Sequence, residues 1–261
     1  GTVNAIISQG ILPAGLEMMD RLAIKAAEAF VNVGYPLDAE GLLICELDGT
    51  DAEVQHQIEK LRLILDKNNA IQVRVATDAA ERMQLWLGRK AAFPAVGRLA
   101  PDYYCMDGTI PRSELAAVLA QITKFSEQHG LDVANVFHAG DGNLHPLILY
   151  DANKAGEIER AEAFGADILN LCIEVGGTIT GEHGVGVEKI DQMCIQFTPE
   201  ELELFHGVKS AFDESRILNP GKAVPTLSRC AEFGAMHVHT EGSQQTHVGL
   251  NAQKYSDLER F

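Results

Sequence analysis

Basic residues are scarce. Lys and Arg number 21 against 37 Asp and Glu, giving a formal net charge of −16 and an isoelectric point near 4.9. Nucleic-acid binding rests on Lys and Arg neutralising phosphates, so this balance argues against that class of partner. The same field repels an anionic substrate at long range, and a site for one needs its own concentrated cations or a metal ion. No apolar run approaches the roughly 20 residues that a membrane-spanning helix requires. The five cysteines, Cys45, Cys105, Cys172, Cys194 and Cys230, include no Cys-x-x-Cys pair. An odd count in a chain long enough to bury its own core suggests reduced thiols packed as small core residues, in a cytoplasmic protein. The opening residues, Gly1 to Ile7, contain no Met and no basic stretch followed by a long apolar one. A secretory signal is therefore not expected, and the chain reads as one that starts inside a larger protein.

Hydrophobic spacing supplies the elements. Apolar residues at helical intervals predict a helix over Pro13–Val33, stopped by Gly34-Tyr35-Pro36. A short strand follows at Gly41–Leu47, then a helix at Asp51–Asn68, an alternating strand through Ile71, Val73 and Val75, and a helix at Asp78–Arg89. A second round has a strand at Tyr103–Asp107, a helix at Pro111–His129 and two strands, Val133–Phe137 and Leu144–Tyr150, around a tight Gly-Asp-Gly-Asn turn. Strand–helix–strand units of this kind suit an α+β fold, a ferredoxin-like antiparallel sheet with helices on one face, spanning about residues 36–151. Residues 152–223 read as a helical region, with long helices at Glu157–Val175 and Pro199–Ser215. Residues 224–261 have no periodicity and read as an extended tail.

Three segments carry chemistry. In His138-Ala139-Gly140-Asp141-Gly142-Asn143-Leu144-His145, a turn centred on Asp141-Gly142 pairs His138 with His145. Opposed Cβ atoms ~5 Å apart can then set two imidazoles around one ion. The plainer alternative is a hairpin with two unrelated histidines. Residues Gly176 to Gly186 hold five glycines around an adjacent Glu182-His183 pair, which implies strained or closely approached backbone. Glu182 can complete a two-His, one-carboxylate ligand set with open positions, leaving His183 as a general base beside the ion. A phosphate-cradling loop fits poorly, since neither a P-loop Lys-Ser/Thr nor a GxGxxG pattern is present. Arg89, at a helix end with Lys90 and followed by Arg98, is a natural fork for a substrate carboxylate. Cations there also serve simply to oppose the helix dipole.

Together, the His138–His145 segment, Gly181-Glu182-His183-Gly184 and Leu218-Asn219-Pro220-Gly221-Lys222 resemble the C-terminal domain of FAD-linked 2-hydroxy-acid oxidases. Within that family the segments Arg89–Phe93, Pro101–Tyr104, Met106–Arg112, Arg229–Glu232 and Met236–His239 look most like the glycolate oxidase large subunit. The resemblance implies a domain over residues 1–223, and an FAD-binding domain that this sequence does not include. It implies a divalent metal on His138, His145 and Glu182, with zinc the first expectation and iron and manganese the alternatives. His183 would be the base, and Arg89 and Tyr104 would contact the substrate. The implied reaction oxidises glycolate, or a similar acid such as D-lactate, to the 2-oxo acid. The implied partners are the small acid, the protein's own FAD domain and an iron–sulfur electron-transfer subunit, through which the protein could associate with a membrane. Two other readings stay open: a metal-dependent hydrolase, and a ferredoxin-like interaction module with a structural or vestigial metal site.

Overall fold

Asp20 ends one element and starts the next. It closes strand β1 (Gly15–Asp20), and its carboxylate accepts the Ala23 N–H at 2.9 Å, capping helix α2 (Arg21–Val31). The computed structural model describes residues 1–226 and Cys230. The chain divides into two compact units, residues 1–182 and 183–261.

In the first unit, α1 (Thr2–Ser8) precedes β1 and α2. Then come β2 (Gly41–Glu46), α3 (Asp51–Lys67), α4 (Ala79–Lys90), α5 (Ala92–Val96) and β3 (Asp102–Cys105). A single 3₁₀ turn at Arg112–Glu114 leads into α6 (Leu115–His129), followed by β4 (Val133–His138), β5 (Pro146–Tyr150) and α7 (Glu157–Glu174). The strands form one five-stranded antiparallel sheet in the order β2-β1-β4-β5-β3. The α+β class expected from the sequence is therefore what forms, with β5 inserted between β3 and β4 in the split ferredoxin-like manner.

Helices cover both faces of this sheet, not one face as the sequence suggests. Met19, Ala134, Val136, Leu147 and Leu149 bury against Ala23 and Ala27 of α2 and Ala92, Ala95 and Val96 of α5. Strand residues alternate faces, so their neighbours Phe137 and Ile148 point the other way, and both are fully buried. On that second face α7 comes so close that a Cβ on Gly165 would lie 2.9 Å from the Tyr104 ring.

Two sequence expectations fail locally. The helix expected over 13–33 begins only at Arg21, because Leu16 and Met19 mimic helical spacing while the backbone of 15–20 pairs with β2 and β4. The strand expected at 71–75 does not form. Ile71 and Val73 are exposed there, and the Arg74 Nη1 donates to the carbonyls of Val33 and Gly34. The alternation alone does not make a strand where the side chains on neither face are buried.

The second unit contains α8 (Ile190–Gln196) and α9 (Pro199–Phe212). A reciprocal capping box between Thr198 and Glu201 starts α9. After the helix, the Asp213 carboxylate accepts the N–H groups of Ile217 and Leu218 at 2.9 and 3.1 Å, and the Asn219–Lys222 turn follows. Cys194 is disulfide-bonded to Cys230, which corrects the expectation that all five cysteines are reduced. Cys45, Cys105 and Cys172 are free thiols. Beyond Thr226, apart from Cys230, the expected tail and its motifs lie outside the described residues. Among the described residues no helix is long and apolar enough to cross a membrane.

Candidate metal centre

The central hairpin does not close as the sequence suggests. The N–H groups of Asp141 and Gly142 both donate to the His138 carbonyl, at 3.2 and 3.0 Å, so the turn takes more residues than a two-residue loop. His138 consequently opposes Asn143, and His145 opposes Val136 through the Val136 N–H to His145 carbonyl bond at 3.3 Å. The expected His138–His145 register is thus wrong by two residues. A shift of two preserves the face, and the two rings still meet as diagonal neighbours. Their centroids are 5.2 Å apart and nearly perpendicular, at 84°.

Both Nε2 atoms turn toward one carboxylate. Glu182 Oε1 lies 2.9 Å from Nε2 of His145 and 3.7 Å from Nε2 of His138. The Nδ1 atoms face inward to fixed acceptors, Glu17 Oε1 at 2.7 Å for His138 and the Met106 carbonyl at 3.4 Å for His145. His145 is buried, whereas Glu182 is half-exposed, with 52% of its side chain in solvent. Two imidazole nitrogens and a carboxylate oxygen are donor types that suit a divalent ion, and an acceptor at each Nδ1 orients both rings. His138 meets Glu182 at 3.7 Å but is not among the described residues whose ligand atoms all lie within 4.8 Å of one another. The carboxylates of Asp107 and Glu182 and a nitrogen of His145 offer ligand atoms within 4.8 Å of one another.

Asp107, which the sequence reading did not single out, holds the glycine loop in place. It is fully buried. Its carboxylate accepts the Thr180 hydroxyl at 2.6 Å, the Gly181 N–H at 3.1 Å and the Glu182 N–H at 3.2 Å. Beside it, Thr109 and Thr178 exchange backbone hydrogen bonds at 2.9 and 3.1 Å, stitching the loop to the end of the sheet. Gly181 is there because a Cβ would sit 2.6 Å from the Asn143 amide.

Family membership now follows from comparison. The family described as FAD linked oxidases, C-terminal domain, matches residues 1–223. This chain belongs to that family. It is 62% identical to glycolate oxidase subunit GlcD of Escherichia coli (strain K12), over 91% of this chain and 48% of that protein. It is 30% identical to the mitochondrial D-lactate dehydrogenase [cytochrome] of Arabidopsis thaliana, over 85% of this chain and 39% of that protein. The chain therefore spans about half the length, or less, of these relatives. Among solved structures, p-cresol methylhydroxylase with substrate bound superposes with a TM-score of 0.61 over 87% of this chain and 50% of that one, at 16% identity. That likeness concerns the fold alone.

Within this FAD-linked oxidase domain, the remaining expected site residues fall in different places. Arg89, near the end of α4, is buried and paired with Glu17 of β1, its Nε and Nη2 donating to Oε2 at 3.0 and 2.8 Å. Glu17, another residue the sequence reading missed, thus touches both Arg89 and His138. Burial pushes its carboxyl up, but the His138 hydrogen bond and the Arg89 and His138 charges outweigh that and hold it below the usual range. The same Glu17 hydrogen bond raises His138 above its ordinary value against the effect of burial. Arg98 instead lies over the Phe30 ring, 5.1 Å from its centroid. Tyr104 is on the opposite face of the sheet, against Gly165 of α7. The residue that β3 turns toward His145 is Cys105, paired with Leu147 on the histidine face. His183 is exposed and is the first residue of the second unit.

Proposed function

We propose that this chain is the metal-holding, substrate-binding half of a flavin-dependent enzyme that oxidises glycolate, or a similar small 2-hydroxy acid such as D-lactate, to the 2-oxo acid. The observation that carries this reading is the convergence of the two Nε2 atoms on Glu182 Oε1 at 2.9 and 3.7 Å. The names of the relatives support the substrate class and the family description supports FAD.

A divalent ion held by His138, His145 and Glu182 would supply Lewis acidity to a substrate hydroxyl, and a bound flavin would supply the hydride acceptor. The chain's own residues do the rest. His138, His145 and Glu182 supply the donor set and fix where a chelating hydroxy acid sits. His183, adjacent to Glu182, takes the hydroxyl proton. Arg89, buried and ion-paired with Glu17, is the cation we assign to the substrate carboxylate. We assign residues 1–223 to this role and place the flavin in the part of the relatives that the chain does not match. An iron–sulfur subunit is the electron-transfer partner in this reading. The Cys194–Cys230 bond removes the cysteine argument for a reducing compartment.

Anaerobic addition of glycolate to the full-length protein tests the reading. Bleaching of the flavin is expected, with D-lactate as the comparator. The His183→Ala protein should keep its metal and lose the bleaching. No response to any small 2-hydroxy acid would return the weight to an interaction module, and metal-dependent ester or amide turnover without flavin would favour the hydrolase.

A further inference from the structure

The acceptor behind His138 in the site just proposed does more than hold one ring. Glu17 stands directly opposite His138 in the β1–β4 register, 10% of its side chain is exposed, and each of its oxygens has a different partner. Oε1 takes the His138 Nδ1 at 2.7 Å, and Oε2 takes Arg89 Nε and Nη2 at 3.0 and 2.8 Å.

We propose that Glu17 is a positioning residue: its carboxylate sets the metal-binding tautomer of His138 and, with its other oxygen, fixes Arg89 beside it. This inference rests on the metal reading above. A carboxylate only accepts hydrogen bonds, so the hydrogen on a neutral His138 must sit on Nδ1. The lone pair is then on Nε2, the atom that faces Glu182. The other tautomer would put two acceptors 2.7 Å apart. The Nδ1 of His145 faces an uncharged acceptor, the Met106 carbonyl at 3.4 Å, whereas that of His138 faces a carboxylate. Because one side chain serves both His138 and Arg89, the position of the donor set and the position of the cation are set together. No uncharged replacement does both. A glutamine has one oxygen, and its NH₂ must then face either His138 or Arg89, both of which are donors.

Zinc titration by calorimetry of the full-length protein tests this on wild type, His145→Ala, Glu17→Gln and the double variant Glu17→Gln/Arg89→Met. The double variant removes the buried cation that Glu17→Gln would orphan, and so separates positioning from folding. Loss of an outer-shell partner typically weakens metal binding about 10- to 100-fold, which is the fall expected for both Glu17 variants. Glu17→Asp should recover part of it. In the metal-free wild type, nitrogen NMR should find the neutral His138 ring carrying its hydrogen on Nδ1, a readout that packing alone would not set and that needs no variant. Wild-type zinc affinity in the double variant, or a hydrogen on Nε2, overturns the role of Glu17 while leaving the metal site standing. Failure of the wild type to bind zinc, or full binding by His145→Ala, overturns the metal site and this inference with it.

Discussion

His138 and His145 stand at the end of a paired hairpin in the middle of the sheet, while Glu182 stands on a glycine-rich loop that has no regular structure of its own. The histidines inherit their positions from backbone pairing, and each ring is then fixed by an acceptor at its inner nitrogen. Glu182 is placed by a buried carboxylate instead, since Asp107 takes the N–H of Glu182 itself and that of Gly181 just before it. Regular structure presents two of the proposed ligands but not the third. A single buried acid substitutes for a strand, and the glycines let the loop lie close enough to be held.

The comparison can be broken from either side. The largest effect should come from the sheet side: His145→Ala removes a buried ligand and should abolish metal binding, read as metal content of the purified protein. Arg89→Met should leave Glu17 buried without its cation. Breaking a buried pair in this way costs about 3–5 kcal/mol, and urea unfolding of the metal-free protein should show a loss of that order.

From the loop side the effects should be smaller. Asp107→Ala removes the acceptor of the Thr180 hydroxyl and of the part-buried Gly181 and Glu182 N–H groups, for about 1 kcal/mol or somewhat more. Metal affinity should fall further than stability does, because the loop carries Glu182, the third proposed ligand. In Gly181→Ala the new Cβ would meet the Asn143 amide at 2.6 Å. Either the Asn143 side chain or the loop must shift, for about 1–3 kcal/mol of overpacking, and zinc titration should show weakened binding. Tyr104→Phe, on the far face of the sheet, should leave metal affinity unchanged. A clear loss there would mean that the two faces communicate.

Much of the sheet side was legible in the sequence, and for a physical reason. Alternation along a strand survives a register error of two, so His138 and His145 could be placed on one face even though their pairing was misjudged. An error of one is less forgiving. Tyr104 and Cys105 are adjacent, and only the pairing of β3 with β5 shows that Cys105 shares the face of Leu147 and His145. Glu17 was hidden by Leu16 and Met19, whose spacing fits a helix as well as a strand. Its contact with His138 spans 121 residues, and that of Asp107 with Glu182 spans 75. Single acids in apolar surroundings carry no local sign of such distant partners. Nor do five widely spaced cysteines show which two will pair, and Cys194 and Cys230 are 36 residues apart.

The most direct measurement is elemental analysis of the purified full-length protein by inductively coupled plasma mass spectrometry, beside its His145→Ala variant. The account predicts about one equivalent of zinc, iron or manganese in the wild type, as for a single three-ligand site, and none in the variant. A folded wild type that holds no metal after incubation with each ion, or a variant that keeps its metal, would contradict it.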